Sequence, residues 1–199
     1  MILKKNTYAH FKENRSEQKK HLVNLSRSWG MNRRHDKNPI SYQEHMDAFK
    51  EIMALSQKHD IIVHPFISPV HIRQLNIIDT SKRLPEYYRW KSDLIKSITK
   101  IHPITKLWDF SFIPDISNEK VTDGNVKMKW YWESQHYKEA LGEYVIDTML
   151  IGPTHNHQIS INNVADKNAA LQRALEGFKK QNTTLVQKHI DWAVKYHAI

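Results

Sequence analysis

Cysteine is absent from this 199-residue chain, which excludes disulfides, thiolate metal sites and a cysteine nucleophile. Only 5 glycines and 7 prolines occur, and neither an internal repeat nor a low-complexity tract is present. No run of about 18 apolar residues exists, and Met1-Ile2-Leu3-Lys4-Lys5-Asn6 opens no apolar stretch of signal-peptide length. The chain as written therefore reads as soluble, untargeted and cytoplasmic, with no transmembrane segment. What it does have is apolar content of 40%, with six Trp, eight Tyr and six Phe, enough for one domain with a real core.

The formal net charge of +9 is unevenly spread. Residues 1–40 carry ten Lys/Arg against Glu13, Glu17 and Asp36, while the remainder carries twenty basic residues against eighteen acidic ones. The expected organisation is a basic, loosely ordered segment over 1–40 and one α/β domain over 41–199. A basic arm can hold phosphate or anionic lipid, but the near-neutral body makes nucleic acid an unfavoured partner. Within the segment, His21-Leu22-Val23-Asn24-Leu25 is strand-like and leads into Ser26-Arg27-Ser28-Trp29-Gly30. Neither serine sits in a nucleophile motif.

From residue 41 the signals alternate. Ser41-Tyr42-Gln43-Glu44 is a capping box, followed by Met46, Phe49, Ile52, Met53 and Leu55 at helical spacing. Ile61-Ile62-Val63-His64-Pro65-Phe66-Ile67 is nearly continuous in apolar character, as in a strand covered on both faces. It ends in Ser68-Pro69-Val70-His71, at the strand end where open parallel sheets bind ligands. Alternatively, Pro69 starts the next helix and His71 packs in its first turn. Leu84-Pro85-Glu86 opens a helix whose buried face is Tyr88, Trp90 or Lys91, Leu94, Ile95 and Ile98. Residues 106–112 alternate as a second strand, with Asp109 and Ser111 near its end, and a polar stretch over 114–129 reads as a rim segment. Residues 61–67 and 106–112 are expected to be adjacent parallel strands, with the helix from about 84 to 101 crossing between them.

Trp130-Tyr131-Trp132-Glu133-Ser134-Gln135-His136-Tyr137 is the most informative stretch. Three aromatics precede an acid and, three residues on, a histidine, just ahead of a helix carrying Leu141, Val145, Ile146 and Met149. One turn returns a carboxylate to an imidazole, where it fixes the tautomer and supports the ring as a general base. The competing explanation is a helix cap over buried aromatics. His155 and His157 form a His-x-His without a third ligand at a recognisable spacing, so no metal and no cofactor are expected. Asn162 or Asn163 caps a long helical region with apolar positions Val164, Leu171, Leu175, Phe178, Leu185, Ile190, Trp192 and Val194, broken near Asn182-Thr183-Thr184.

Taken together, Ile67-Ser68-Pro69-Val70-His71, Trp90-Lys91, Leu107-Trp108-Asp109-Phe110-Ser111, Trp130 to Tyr137 and Gly142 resemble the C-terminal half of bacterial SGNH/GDSL-type hydrolase-like proteins. The resemblance runs from about residue 41 to the end. It implies a partial flavodoxin-like three-layer fold with few parallel strands flanked by helices. It also implies an Asp-x-x-His-type motif, with His136 as base and Glu133 standing in for the family's Asp, in a cleft with Ser68, His71, Asp109, Ser111 and Trp132. The family's Gly-Asp-Ser motif is missing, which points to a fragment or a pseudoenzyme. Two functions follow. One is action on ester or acyl groups of a small molecule or carbohydrate, weak in this chain alone. The other is non-catalytic binding through an aromatic pocket and the basic segment. Sequence does not address oligomeric state.

Overall fold

Ser41 opens the described chain as a helix N-cap. Its Oγ accepts the Glu44 N–H at 3.2 Å, and its own N–H donates to the Glu44 carboxylate at 2.6 Å, the capping box expected from the sequence. These bonds hold the Glu44 carboxyl below the usual carboxylate range. Ser41→Ala is expected to cost about 1 kcal/mol of stability, read as a lower urea midpoint at unchanged slope. This computed structural model describes residues 41–120, 128–132, 134–152 and 155–195. The basic segment with its strand-like 21–25, residues 121–127 of the expected rim segment and Glu133 lie outside the described residues.

The capped helix is α1 (Tyr42–Lys58), followed by β1 (Phe66–Ile67), α2 (Ile72–Thr80), α3 (Leu84–Ile101) and β2 (Leu107–Asp109). A single-turn α4 (Pro114–Ser117) precedes α5 (Glu139–Leu150), and a 3-10 turn over His155–His157 leads into β3 (Gln158–Ile159). Helices α6 (Val164–Gln181) and α7 (Thr183–Lys195) follow. The protein is mixed α/β, mostly helical around a small sheet of order β1-β2-β3. Strands β1 and β2 pair in parallel, Phe66 opposite Trp108 and Ile67 opposite Asp109, with α2 and α3 in the connection, as the apolar runs implied. Both strands are shorter than expected. Residues 61–65 form no strand, although the Pro65 carbonyl accepts the Trp108 N–H, and β3 was not foreseen because two residues carry no periodic signal. It pairs antiparallel to β2, Leu107 opposite Ile159.

Strand alternation divides the core between the two faces of the sheet. Ile67, Leu107 and Ile159 pack with Met46 and Met53 of α1 and with Leu94, Ile95 and Ile98 of α3. Trp108 packs on the other side with Phe110, Tyr131 and the α5 residues Leu141 and Val145. A further cluster joins Ile72, Leu75 and Ile78 of α2 to Leu171 and Leu175 of α6. The helix break falls where the sequence put it, since Asn163 and Asn182 flank α6. The face of α7 differs, however: Val186, His189 and Ala193 are buried, whereas Val194 is exposed and Leu185 and Ile190 are half-buried. The break restarts the helical phase, so the apolar stripe of α6 does not extend into α7. Among the described residues no helix is long and apolar enough to cross a membrane.

Candidate functional site

The carboxyl ends of β1 and β2 collect most of the residues singled out in the sequence. Leaving β1, Ser68 is exposed and Pro69 is buried. His71 is buried, but as the N-cap of α2, which begins at Ile72 and not at Pro69. Its Nδ1 accepts the Arg73 N–H at 3.2 Å, and its Nε2 lies 2.7 Å from the Glu119 main-chain carbonyl. A carbonyl only accepts, so this pairing places the ring proton on Nε2. The ring also meets Tyr131 edge-on, with centroids 5.4 Å apart. His71 is thus a fixed strut between α2 and the segment after β2.

At the end of β2, Asp109 and Ser111 hydrogen-bond to each other around a partner that the sequence did not identify. Lys91 of α3 donates from Nζ to Asp109 Oδ2 at 2.7 Å and to Ser111 Oγ at 3.0 Å. Ser111 donates its hydroxyl to Asp109 Oδ1 at 2.5 Å and its N–H to the same oxygen at 3.0 Å. All three side chains are buried. Burial would raise the Asp109 pKa, but the Lys91 ammonium and the Ser111 hydrogen bonds outweigh it and hold the carboxyl below its usual range. Burial would likewise lower Lys91, yet Tyr87 and Asp109 beside it keep the ammonium above its ordinary value. The Lys91 Nζ also lies 4.7 Å from the centre of the Tyr87 ring, and burial pushes the Tyr87 phenol up. A lysine held protonated does not serve as a base, and a buried hydroxyl committed to a carboxylate is poorly placed to attack. This cluster fastens α3 to β2. The signal that would have found it is a lysine on the buried stripe of a helix, which requires a carboxylate opposite.

Beside this cluster the His157 ring stacks on Phe110, centroids 4.7 Å apart, and its Nε2 is 3.1 Å from the Tyr144 hydroxyl. Burial lowers its pKa. Among the described residues, no group of three or more His, Cys, Asp or Glu is arranged to hold a metal.

The aromatic stretch folds as a small hairpin rather than as the first turn of a helix. Tyr131 and Tyr137 form an antiparallel bridge, Trp132 N–H donates to the His136 carbonyl at 2.9 Å, and Lys138 N–H donates to the Trp130 carbonyl at 2.8 Å. Consecutive aromatics favour extended backbone, so α5 begins only at Glu139, with Lys138 as an N-cap that makes no side-chain cap bond. Main-chain bonds attach the hairpin to the rest of the fold. The His71 N–H donates to the Ser134 carbonyl at 3.0 Å, and the Glu119 carboxylate accepts the Lys129 N–H and, at 2.9 Å, the Trp130 N–H. Glu119 therefore clamps both His71 and the hairpin, a role that its polar surroundings in the sequence do not signal. Tyr131 is fully buried, with burial raising its phenol to about 12, whereas Trp132 and His136 are exposed. The Lys138 Nζ lies 4.6 Å from the centre of the Trp132 ring.

No family model matches this chain, and neither a curated protein nor a solved structure does. The site is therefore defined by its own geometry. His71, Asp109 and Ser111 are committed to internal hydrogen bonds, while Ser68, Trp132 and His136 face solvent at the same end of the parallel pair.

Proposed function

We propose that this chain is an SGNH-type hydrolase-like domain that acts on ester or acyl groups, or descends from one that did, with His136 as general base and little turnover of its own. The observation that carries this reading is the 3.0 Å bond from the His71 N–H to the Ser134 carbonyl. It fastens the hairpin bearing exposed His136 to the chain that leaves a parallel strand, the position where open α/β sheets take their ligands. The link from fold to chemistry is an analogy. Low turnover follows from the nucleophile. Ser111 is locked to Asp109, and Ser68, although it lies exposed between β1 and α2, sits in Ile67-Ser68-Pro69 and not in the glycine-flanked elbow that activates a serine. Losing a single oxyanion donor costs on the order of 10² to 10³ in turnover, and here the motifs for both nucleophile and donors are missing.

The test treats the purified full chain with a fluorophosphonate and follows slow hydrolysis of an activated acetate ester in parallel. Substoichiometric serine labelling is expected, with a background rate that falls at least tenfold in His136→Ala and holds in His64→Ala. A background indifferent to His136→Ala would remove it as base. Stoichiometric labelling of one serine would overturn the low turnover.

The non-catalytic reading is favoured by one feature, the exposed Trp132 with the Lys138 ammonium over its ring, which offers a stacking surface and a cation together. It predicts His136-independent binding of an anionic ligand and quenching of Trp132 fluorescence.

A further inference from the structure

Strand β1 is an edge of the sheet among the described residues, and its sequence is wrong for an edge. Trp108 N–H donates to the Pro65 carbonyl at 3.0 Å and Phe110 N–H to the Ile67 carbonyl at 3.0 Å. The intervening Phe66 therefore turns its own N–H and carbonyl away from β2, toward the open side, and His64 has the same parity. Natural edges are protected by charge, bulges or proline, and parallel strands are ordinarily covered. Pro65 does not serve here, since its backbone faces β2, and around it Ile62 is 83% exposed and Phe66 42%. The flank of α1 next to its buried stripe is also bare and apolar, with Ile52 59% exposed and Leu55 also exposed. A continuous run from Ile61 to Ile67 that reads as a doubly covered strand is thus left half-uncovered, and α1, which packs in the same cluster as Ile67, carries exposed apolar residues that an added strand could meet.

We infer that residues 21–25 of this chain, His21-Leu22-Val23-Asn24-Leu25, dock against the free edge of β1 as an additional strand. Alternation puts Val23 and Leu25 on one face, to meet Ile52 and Leu55, and Leu22 on the other, on the side of Phe66. The connection allows it. The Tyr42 hydroxyl donates to the Asp93 carboxylate at 2.6 Å and the Arg89 guanidinium lies over the Tyr42 ring, so α1 starts alongside the first half of α3, the helix that leads back from the carboxyl end of β1. Fifteen residues, Ser26 to Ile40, separate the segment from Ser41, and a coil of that length has a span of about 20 Å, enough to reach the edge. Tethering at that length gives an effective concentration on the order of millimolar, which favours this segment over a second copy of the chain.

The absence of cysteine gives a direct test, since Asn24→Cys carries a nitroxide at a unique site. In the full chain, labelled with 15N and spin label together, the amide signals of His64 and Phe66 are expected to broaden. A mixture of 15N chain without spin label and unlabelled chain with it should show no such broadening. In Val23→Glu, amide exchange at Phe66 should rise at least tenfold while Phe110, bonded to Ile67, keeps its rate. Unbroadened His64 and Phe66, or broadening in the mixture, would overturn the inference, the latter by making a second copy the occupant. An unchanged Phe66 exchange rate in Val23→Glu, or a rise shared equally by Phe110, would also overturn it.

Discussion

Lys91→Met is expected to lower the unfolding free energy by about 3 to 5 kcal/mol at pH 7, because it leaves the Asp109 carboxylate buried with its counter-charge removed. The Nζ to Oδ2 distance is 2.7 Å and both side chains are almost fully buried, so solvent does not screen the pair as it does Lys50 and Asp47 on the surface. Against a total stability of about 5 to 15 kcal/mol, such a loss brings the fold near its limit. The double variant Lys91→Met with Asp109→Leu should recover much of it, since the cost lies in the orphaned charge rather than in the lost attraction. Urea unfolding of the wild type, both single variants and the double variant closes the cycle. A loss below about 1 kcal/mol in Lys91→Met would mean that the pair behaves as a surface pair. The pH dependence has two windows. The folded-state pKa of Asp109 is depressed, so its contribution is full above the unfolded value of about 3.9 and disappears as pH falls through the lower folded value. That of Lys91 is raised, so its contribution is full below about 10.4 and is lost as pH rises through the higher folded value.

The second large effect is acid sensitivity from His189. This residue of α7 is buried against α2, where its Nδ1 lies 2.7 Å from the Asn76 side-chain nitrogen. Burial, with the nearby Arg73 charge, lowers its pKa to about 4. The unfolded chain takes up this proton near 6.5 and the folded chain only near 4, so acid favours the unfolded state throughout that interval. Stability is full above pH 6.5 and falls by about 3 kcal/mol as pH drops to 4, at about 1.4 kcal/mol per pH unit where steepest. His189→Gln removes the titrating group while keeping an acceptor for Asn76, and should flatten stability between pH 6.5 and 4. A slope that survives His189→Gln would assign the acid loss to other groups.

Several elements needed nothing beyond local chemistry to be legible. Ser41 with Glu44, Pro85 at the start of α3, and Asn163 and Asn182 around α6 act through backbone groups within a few residues, so their spacing in the chain carries the whole signal. The parallel pairing of β1 with β2 was legible too, because an apolar run, a helix and a second run leave few other topologies. The long-range partners were not. Lys91 and Asp109 are eighteen positions apart, His71 and Glu119 forty-eight, and Asn76 and His189 one hundred and thirteen, and no local pattern pairs them.

By itself, then, the sequence determined the mixed α/β class, the boundaries of α1, α3 and α6, and the parallel pair. It also determined that His136, Trp132 and their aromatic neighbours precede a helix. The tertiary structure alone decided which polar residues work inward and which face solvent. Ser111, Asp109 and His71 were indistinguishable from Ser68 and His136 as candidate chemistry along the chain, and only packing of α2 and α3 against the strand ends buries the first three and leaves the other two exposed. The reason is energetic: a polar group tolerates burial only when a partner satisfies it, and those partners come from segments that the fold, not the local sequence, brings within 3 Å.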